Sequence, residues 1–246
     1  MTDGLLLIHA FPLDARMWEP QRDTFDGRFA IAAPNLPGFG GAPGAGPVTS
    51  MGASAAACLQ ALDAAGMDRV VVCGLSMGGY VAFELWRMAR QRIAGLVLAN
   101  TRSGEDAAEA AAGRRALAQR LREEGSAFLV DAPPPLLGPD APSELRERVR
   151  GLIADQPAEA IAAAAVGMAE RRDSTPDLSA IDIPALVITS EDDSLILPDV
   201  TASMVDHIPD ATLIRIPRAG HLSNLEAPVA FDEALGPFFN RCGLPA

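Results

Sequence analysis

Six short apolar runs punctuate this chain without polar alternation: LLLI (5–8), FAIAA (29–33), VVVC (70–73), GLVLA (95–99), ALVIT (185–189) and TLIRI (212–216). A strand with one wet face alternates apolar and polar residues. An unbroken run of this length suits a strand buried on both faces, as in a parallel sheet. Helical patterns lie between most of the runs. One begins after Ser50, a side chain suited to capping, and stops at Gly66. Others follow Gly78, Pro198 and Pro228. Strand alternating with helix predicts an α/β fold, a mostly parallel sheet of about six strands flanked by helices.

The rhythm fails once. Between Asn100 and Ile183 no strand-like run occurs. The segment is alanine-rich, with helical patterns over 104–124, 142–154 and 157–172, divided by DAPPPLLGP (131–139). Long insertions in compact domains are usually functional. The reading is therefore a helical lid over 101–183, set into a core made of 1–100 and 184–246. A surface appendage is the alternative.

Composition narrows the function classes. The length of 246 residues and 49% hydrophobic content suit one sizeable domain carrying an insertion. A net charge of −12 repels phosphate backbones, so no nucleic-acid partner is expected. All 20 basic residues are arginine. Without lysine there is no Schiff-base chemistry and no phosphate loop ending in Gly-Lys-Ser/Thr. Cys58, Cys73 and Cys242 form no CxxC pair, and His9, His207 and His221 form no metal-binding spacing. No metal and no cofactor are expected. No basic stretch precedes Leu5, and the longest uncharged stretch, 29–62, is broken by four prolines and six glycines. Neither a signal peptide nor a membrane span is expected, and cytoplasm is the default location.

The candidate chemistry sits in VVVCGLSMGGY (70–80). A strand runs into Gly74-Leu75-Ser76-Met77-Gly78 and a helix follows. Glycines at 74 and 78 let the chain reverse sharply while Ser76 is held out at the bend; a larger side chain at either would collide with backbone. The helix N-terminus supplies free N–H groups beside the hydroxyl. A serine hydroxyl alone is a weak nucleophile and needs a base held by a carboxylate. His221 lies in a glycine-containing loop after the last strand, and Glu191, Asp192 and Asp193 lie just past the preceding strand. Strand ends in a parallel sheet are where catalytic groups gather. His9 and His207 read as packing and solvent-facing residues, with His9 placed to support the loop after the first strand.

LIHAFPLDARMW, PNLPGFG, GLSMGG, EDDSLILP and RAGHLSNLE together resemble the α/β-hydrolase family over nearly the whole chain. HAFPLD and GLSMGG are similar to serine esterases and cofactor-free haloperoxidases (perhydrolases). VGMAERRDSTPDLSAIDIP is similar to the 3-oxoadipate enol-lactonases. The resemblance implies hydrolysis of a small-molecule ester or lactone through an acyl-enzyme on Ser76. It implies His221 as general base and Asp193, with Asp192 as competitor, as the acid that orients it. The oxyanion would rest on backbone N–H groups of Phe11 and Met77. Acyl transfer to peroxide is one alternative, and a non-catalytic ligand-binding role is another. Phe128, Leu136 and Met168 are candidate walls of the substrate pocket. Trp18 and Tyr80 read as core. Arg102 and Arg218 lie near the site, where an arginine could hold a substrate carboxylate, although surface charge is the simpler reading.

Two departures from the family stand out. Ala10 occupies a position where glycine is usual, and alanine fits only at negative φ. The usual N-terminal hairpin is missing, because only Met1 to Gly4 precede the first strand. By the family's strand order FAIAA then forms a sheet edge. An apolar edge invites pairing with another copy, so a homo-oligomer is expected, with a homodimer through that edge as one form.

Overall fold

The computed structural model describes residues 4–44 and 46–244. Its strands are β1 (Gly4–Ile8), β2 (Ala30–Ala32), β3 (Val70–Leu75), β4 (Ile93–Ala99), β5 (Ala185–Ser190) and β6 (Ala211–Ile216). They form one sheet in the order β2-β1-β3-β4-β5-β6, with every neighbouring pair parallel. Each of the six apolar runs contributes a strand.

Helices α1 (Glu19–Phe25), α2 (Met51–Ala64) and α3 (Met77–Ala89) fall between strands in the first half. Then come α4 (Ala108–Glu124), α5 (Ala127–Asp131), α6 (Ser143–Ala154) and α7 (Ala158–Ala169), followed by α8 (Pro198–Ala202), α9 (Ser223–Glu226) and α10 (Pro228–Arg241). Ser50 caps α2 by accepting a hydrogen bond from Ala53 N at 3.1 Å. Just beyond α2, Gly66 takes φ +65°, where glycine carries no penalty. Helix α1 packs with α10, and α2 with α3.

Every residue of β1, β3, β4 and β5 is buried, so these strands are covered on both faces. The two edges differ from the reading of unbroken runs as doubly buried. Along β6, Thr212, Ile214 and Arg215 are exposed, because the edge position leaves part of the strand without a cover. On the opposite edge, β2 spans only three residues and exposes Ala30. A strand this short offers few free backbone groups, which is one way sheets blunt an edge.

All four helices α4–α7 lie between β4 and β5, and α4 packs along α7. Ala160 to Ala165 of α7 are buried. The alanines among them allow a close approach to the loop after β2: Thr49 N donates to Ala163 O at 3.0 Å. A Cβ at Gly167 would sit 1.8 Å from Thr49 O. The proline-rich stretch 131–139 joins α5 to α6 and runs beside the loop after β6, where Leu222 N donates to Leu136 O at 3.0 Å. Glu226 stitches the two together, accepting from Gly138 N at 2.8 Å and from Gly220 N at 2.9 Å. Among the described residues no helix is long and apolar enough to cross a membrane.

Candidate active site

Ser76 sits between β3 and α3 at φ 56°, ψ −114°, a conformation that L-residues rarely adopt. The bend is anchored on both sides. Ser76 N donates to Ala99 O at 2.9 Å, and Thr101 Oγ1 donates to Ser76 O at 2.8 Å. The flanking glycines leave room for nothing larger. A Cβ at Gly74 would lie 2.2 Å from Gly78 O, and one at Gly78 would lie 2.1 Å from Ile8 O. Gly78→Ala therefore forces α3 away from β1. It is expected to destabilise the protein by about 3 kcal/mol, seen as a thermal midpoint about 6–12 °C lower for a chain of this size. An unchanged midpoint would mean that the turn can open without cost.

The serine hydroxyl meets a histidine 145 residues away in the chain. Ser76 Oγ lies 2.7 Å from His221 Nε2. On the other side of the ring, His221 Nδ1 lies 2.9 Å from Asp193 Oδ2 and 3.1 Å from Oδ1. Both His221 and Asp193 are buried. Asp192 and Glu191 are exposed and point elsewhere, and Asp192 N is tied to Ala219 O. Burial pushes Asp193 upward. The His221 hydrogen bond and charge, with bonds from Ile196 N and Asn100, outweigh it and hold the carboxyl below its usual range. The carboxylate is thus kept ionised beside the imidazole.

A supporting layer fixes Asp193. Oδ1 accepts from Leu195 N at 3.0 Å and Ile196 N at 2.9 Å. Oδ2 accepts from Asn100 Nδ2 at 2.9 Å. The amide of Asn100 also donates to Ser190 Oγ and accepts from Ser223 Oγ at 2.6 Å. In the sequence Asn100 only marks the start of the strand-free segment. The available signal is its place directly after the GLVLA run; the structure sets it there at φ 45°. Sequence reasoning misses Ser190 and Ser223 altogether, because a buried serine carries no sequence mark of its partners.

Phe11, in the loop after β1, lines a cavity of about 220 Å³ that opens on Ser76. Met77 is the first residue of α3, so its N–H has no acceptor within the helix. Ala10 lies outside the left-handed region, so the methyl group there is accommodated. His9 supports this loop. Leu36 N donates to Nε2 at 3.0 Å, which places the ring proton on Nδ1 and lets it donate to Ala10 O at 3.0 Å. Burial pulls the His9 pKa from 6.5 down to about 4, against the raising effects of the Ala10 carbonyl and Asp14. Below pH 6.5 the unfolded chain takes up a proton that the native chain refuses until about pH 4. This one group should remove about 3 kcal/mol of stability across that window. Urea melts between pH 7 and 4 test this; an equally steep fall in His9→Gln would refute the assignment.

Leu136 and Met168 line the cavity, but Phe128 does not. Its neighbour Leu129 takes that place, since successive residues on a helix point about 100° apart. Phe128 instead lies under the Arg120 guanidinium, 3.8 Å from the ring centroid. Trp18 is fully buried, in line with a core role. Tyr80 is buried too, yet it forms part of the cavity wall, one turn along α3 from Ser76. Arg102 reaches the cavity, together with Arg114, which sequence reasoning misses. Arg218 is exposed and does not line it. Among the described residues no three histidine, cysteine, aspartate or glutamate side chains converge as a metal site would require.

The sheet, the turn and these contacts can be set against known proteins. The sequence model of the alpha/beta hydrolase family matches residues 5–234. A putative carbamate hydrolase, RutD, of Variovorax paradoxus is 28% identical over 250 residues, covering 99% of this chain and 94% of that one. 3-Oxoadipate enol-lactonase 2 of Acinetobacter baylyi is 27% identical, covering 97% and 89%. A thermophilic esterase from Thermogutta terrifontis superposes with a TM-score of 0.94 at 38% identity, over 97% of this chain and 90% of that one. The family match runs over nearly the whole chain; this chain belongs to the alpha/beta hydrolase family.

Proposed function

We propose that the protein is a serine hydrolase that cleaves a small-molecule carboxylic ester or lactone through an acyl-enzyme on Ser76. The observation that carries this reading is the run of contacts from Ser76 Oγ to His221 at 2.7 Å and from His221 to Asp193 at 2.9 Å, at the wall of a largely apolar cavity. In this reading His221 takes the Ser76 proton as Oγ attacks the carbonyl carbon. The oxyanion rests on the N–H groups of Phe11 and Met77, donors of a kind worth about 3–4 kcal/mol each in the transition state. His221 then protonates the departing alkoxide. It next activates a water that releases the acid and restores the serine. Asp193 holds the ring with its Nδ1–H inward and offsets the imidazolium charge. The segment 101–183 acts as the lid: it supplies Leu129, Leu136 and Met168 to the pocket and shields the reacting carbonyl from bulk water.

The esterase and the enol-lactonase among the relatives favour this substrate class. The direct test is a panel of p-nitrophenyl esters and lactones, with labelling by a fluorophosphonate probe. Hydrolysis and labelling at Ser76 are expected. A folded protein that neither turns over any member nor takes the label would leave the fold with a ligand-binding role instead. Running the same panel with peroxide as acceptor separates hydrolysis from acyl transfer to peroxide.

A further inference from the structure

The cavity that opens on Ser76 is apolar along most of its wall, yet Arg102 and Arg114 both reach it. The two come from different elements, Arg102 from the segment after β4 and Arg114 from α4. They converge on Asp106, whose side chain is fully buried. Arg102 meets it through Nη2, and Arg114 through Nε at 2.5 Å. Behind them stands Arg171, with Nη1 2.9 Å from Asp106. Its remaining bonds go to the carbonyls of Met168 and Gly104, and its guanidinium sits 4.1 Å from the Tyr80 ring centroid.

Three cations thus share one carboxylate. Burying ions is expensive, and a cluster that served only to tie α4 to the segment after α7 would need fewer of them. The donors are also incompletely used. Arg102 Nε and Arg171 Nε are buried without an acceptor, but both are closed to the cavity. Arg114 Nη1 finds only the thioether of Met168 at 3.5 Å, a weak acceptor. Arg102, Arg114 and Arg171, less Asp106, leave two positive charges in the cluster, with Arg102 and Arg114 at the cavity wall, in a chain whose net charge is −12. The Arg114 Nη1 donor left with a thioether, beside the planar guanidinium of Arg102 at the same wall, suits an anionic group with two coplanar oxygens.

The geometry points to a carboxylate subsite formed by Arg102 and Arg114, so that the substrate is an ester or lactone with a free carboxylate remote from the reacting carbonyl. This rests on the Ser76 hydrolase reading and names its substrate class. Asp106 is the positioning residue: it holds both guanidiniums toward the cavity and keeps them from collapsing onto solvent. A volume of about 220 Å³ restricts the spacer between carbonyl and carboxylate to a short chain.

Monoethyl adipate and ethyl hexanoate differ only in a terminal carboxylate against a methyl group. Their hydrolysis is followed by pH-stat on the same preparation, so that the ratio of kcat/KM is independent of how much of a variant is folded. Wild type should favour monoethyl adipate by about 10- to 100-fold, the scale of charge-assisted hydrogen bonds. Arg114→Gln and Arg102→Gln should each lower the ratio about 10-fold, and the double variant should bring it to one or below. A wild-type ratio of one or less, or a ratio untouched in the double variant, overturns the subsite while leaving the hydrolase reading intact. Should neither ester be cleaved, the hydrolase reading is judged by the ester and lactone panel and the fluorophosphonate label at Ser76, and calorimetric titration with adipate judges the subsite by itself. Binding by wild type that is lost in the double variant supports it; no binding, or equal binding by both proteins, overturns it.

Discussion

Ser76→Ala should lower kcat on any ester the protein accepts by about a million-fold, the scale of losing a nucleophile that acts as one unit with its base. The fold should survive, because alanine keeps the Cβ and the hydroxyl makes a single hydrogen bond, 2.7 Å to His221. A further substitution separates strain from chemistry. At φ 56°, ψ −114° a non-glycine residue stores strain of about 1–3 kcal/mol. Ser76→Gly relieves it, against about 0.4–1 kcal/mol of added unfolded-chain entropy. The glycine variant should therefore be inactive yet more stable than wild type by about 1 kcal/mol, read from chemical denaturation. Such a trade marks a residue kept in a costly conformation for its position rather than for the fold. Turnover by Ser76→Ala within tenfold of wild type would remove the nucleophile from residue 76.

Asp193→Asn should lower kcat by about 10⁴-fold, the effect expected of a histidine held in the wrong tautomer. The two carboxylate oxygens of Asp193 are not equivalent. Oδ1 accepts two backbone N–H groups, from Leu195 and Ile196, so an asparagine keeps its oxygen there. Its NH₂ then falls at the Oδ2 position, facing His221 Nδ1 and the Asn100 amide donor. An NH₂ at that point obliges Nδ1 to accept. The ring proton moves to Nε2, where it faces Ser76 Oγ and can no longer receive the hydroxyl proton. The same swap sets two donors, from residues 100 and 193, against each other. A pre-steady-state burst of the first product, retained in wild type and absent in the variant, is the measurement. An active Asp193→Asn protein would assign the orienting role to another group.

Much of this molecule is readable from local pattern. Each strand is marked by its own apolar run, and the turn at Ser76 by glycines that leave no room for a side chain. Ser50 and Gly66 mark the ends of α2. The long all-helical segment is marked by the absence of any strand-like run. These features depend on residues close together in the chain, where propensity, burial and turn chemistry act within a few positions. The resemblance to a known family adds what local pattern lacks, a preference for Asp193 over its acidic neighbours and an edge position for β2.

Other features depend on contacts between distant segments. Phe128 and Leu129 differ by one step on a five-residue helix, too short for its apolar phase to be read. Leu129 faces the cavity because of where α5 is laid against the rest. In the sequence Arg114 looks like one more exposed charge on α4, and only the approach of the segments carrying Asp106 and Arg171 turns it inward. Asn100 becomes the brace of Asp193 because β4 and β5 pair side by side, which brings the ends of both strands together. By itself, then, the chain determined its strands, its sharp turn and the chemical types available for reaction. Which side chains touch one another was decided by tertiary structure, because a hydrogen bond of about 3 Å between residues a hundred positions apart is a property of packing and not of spacing along the chain.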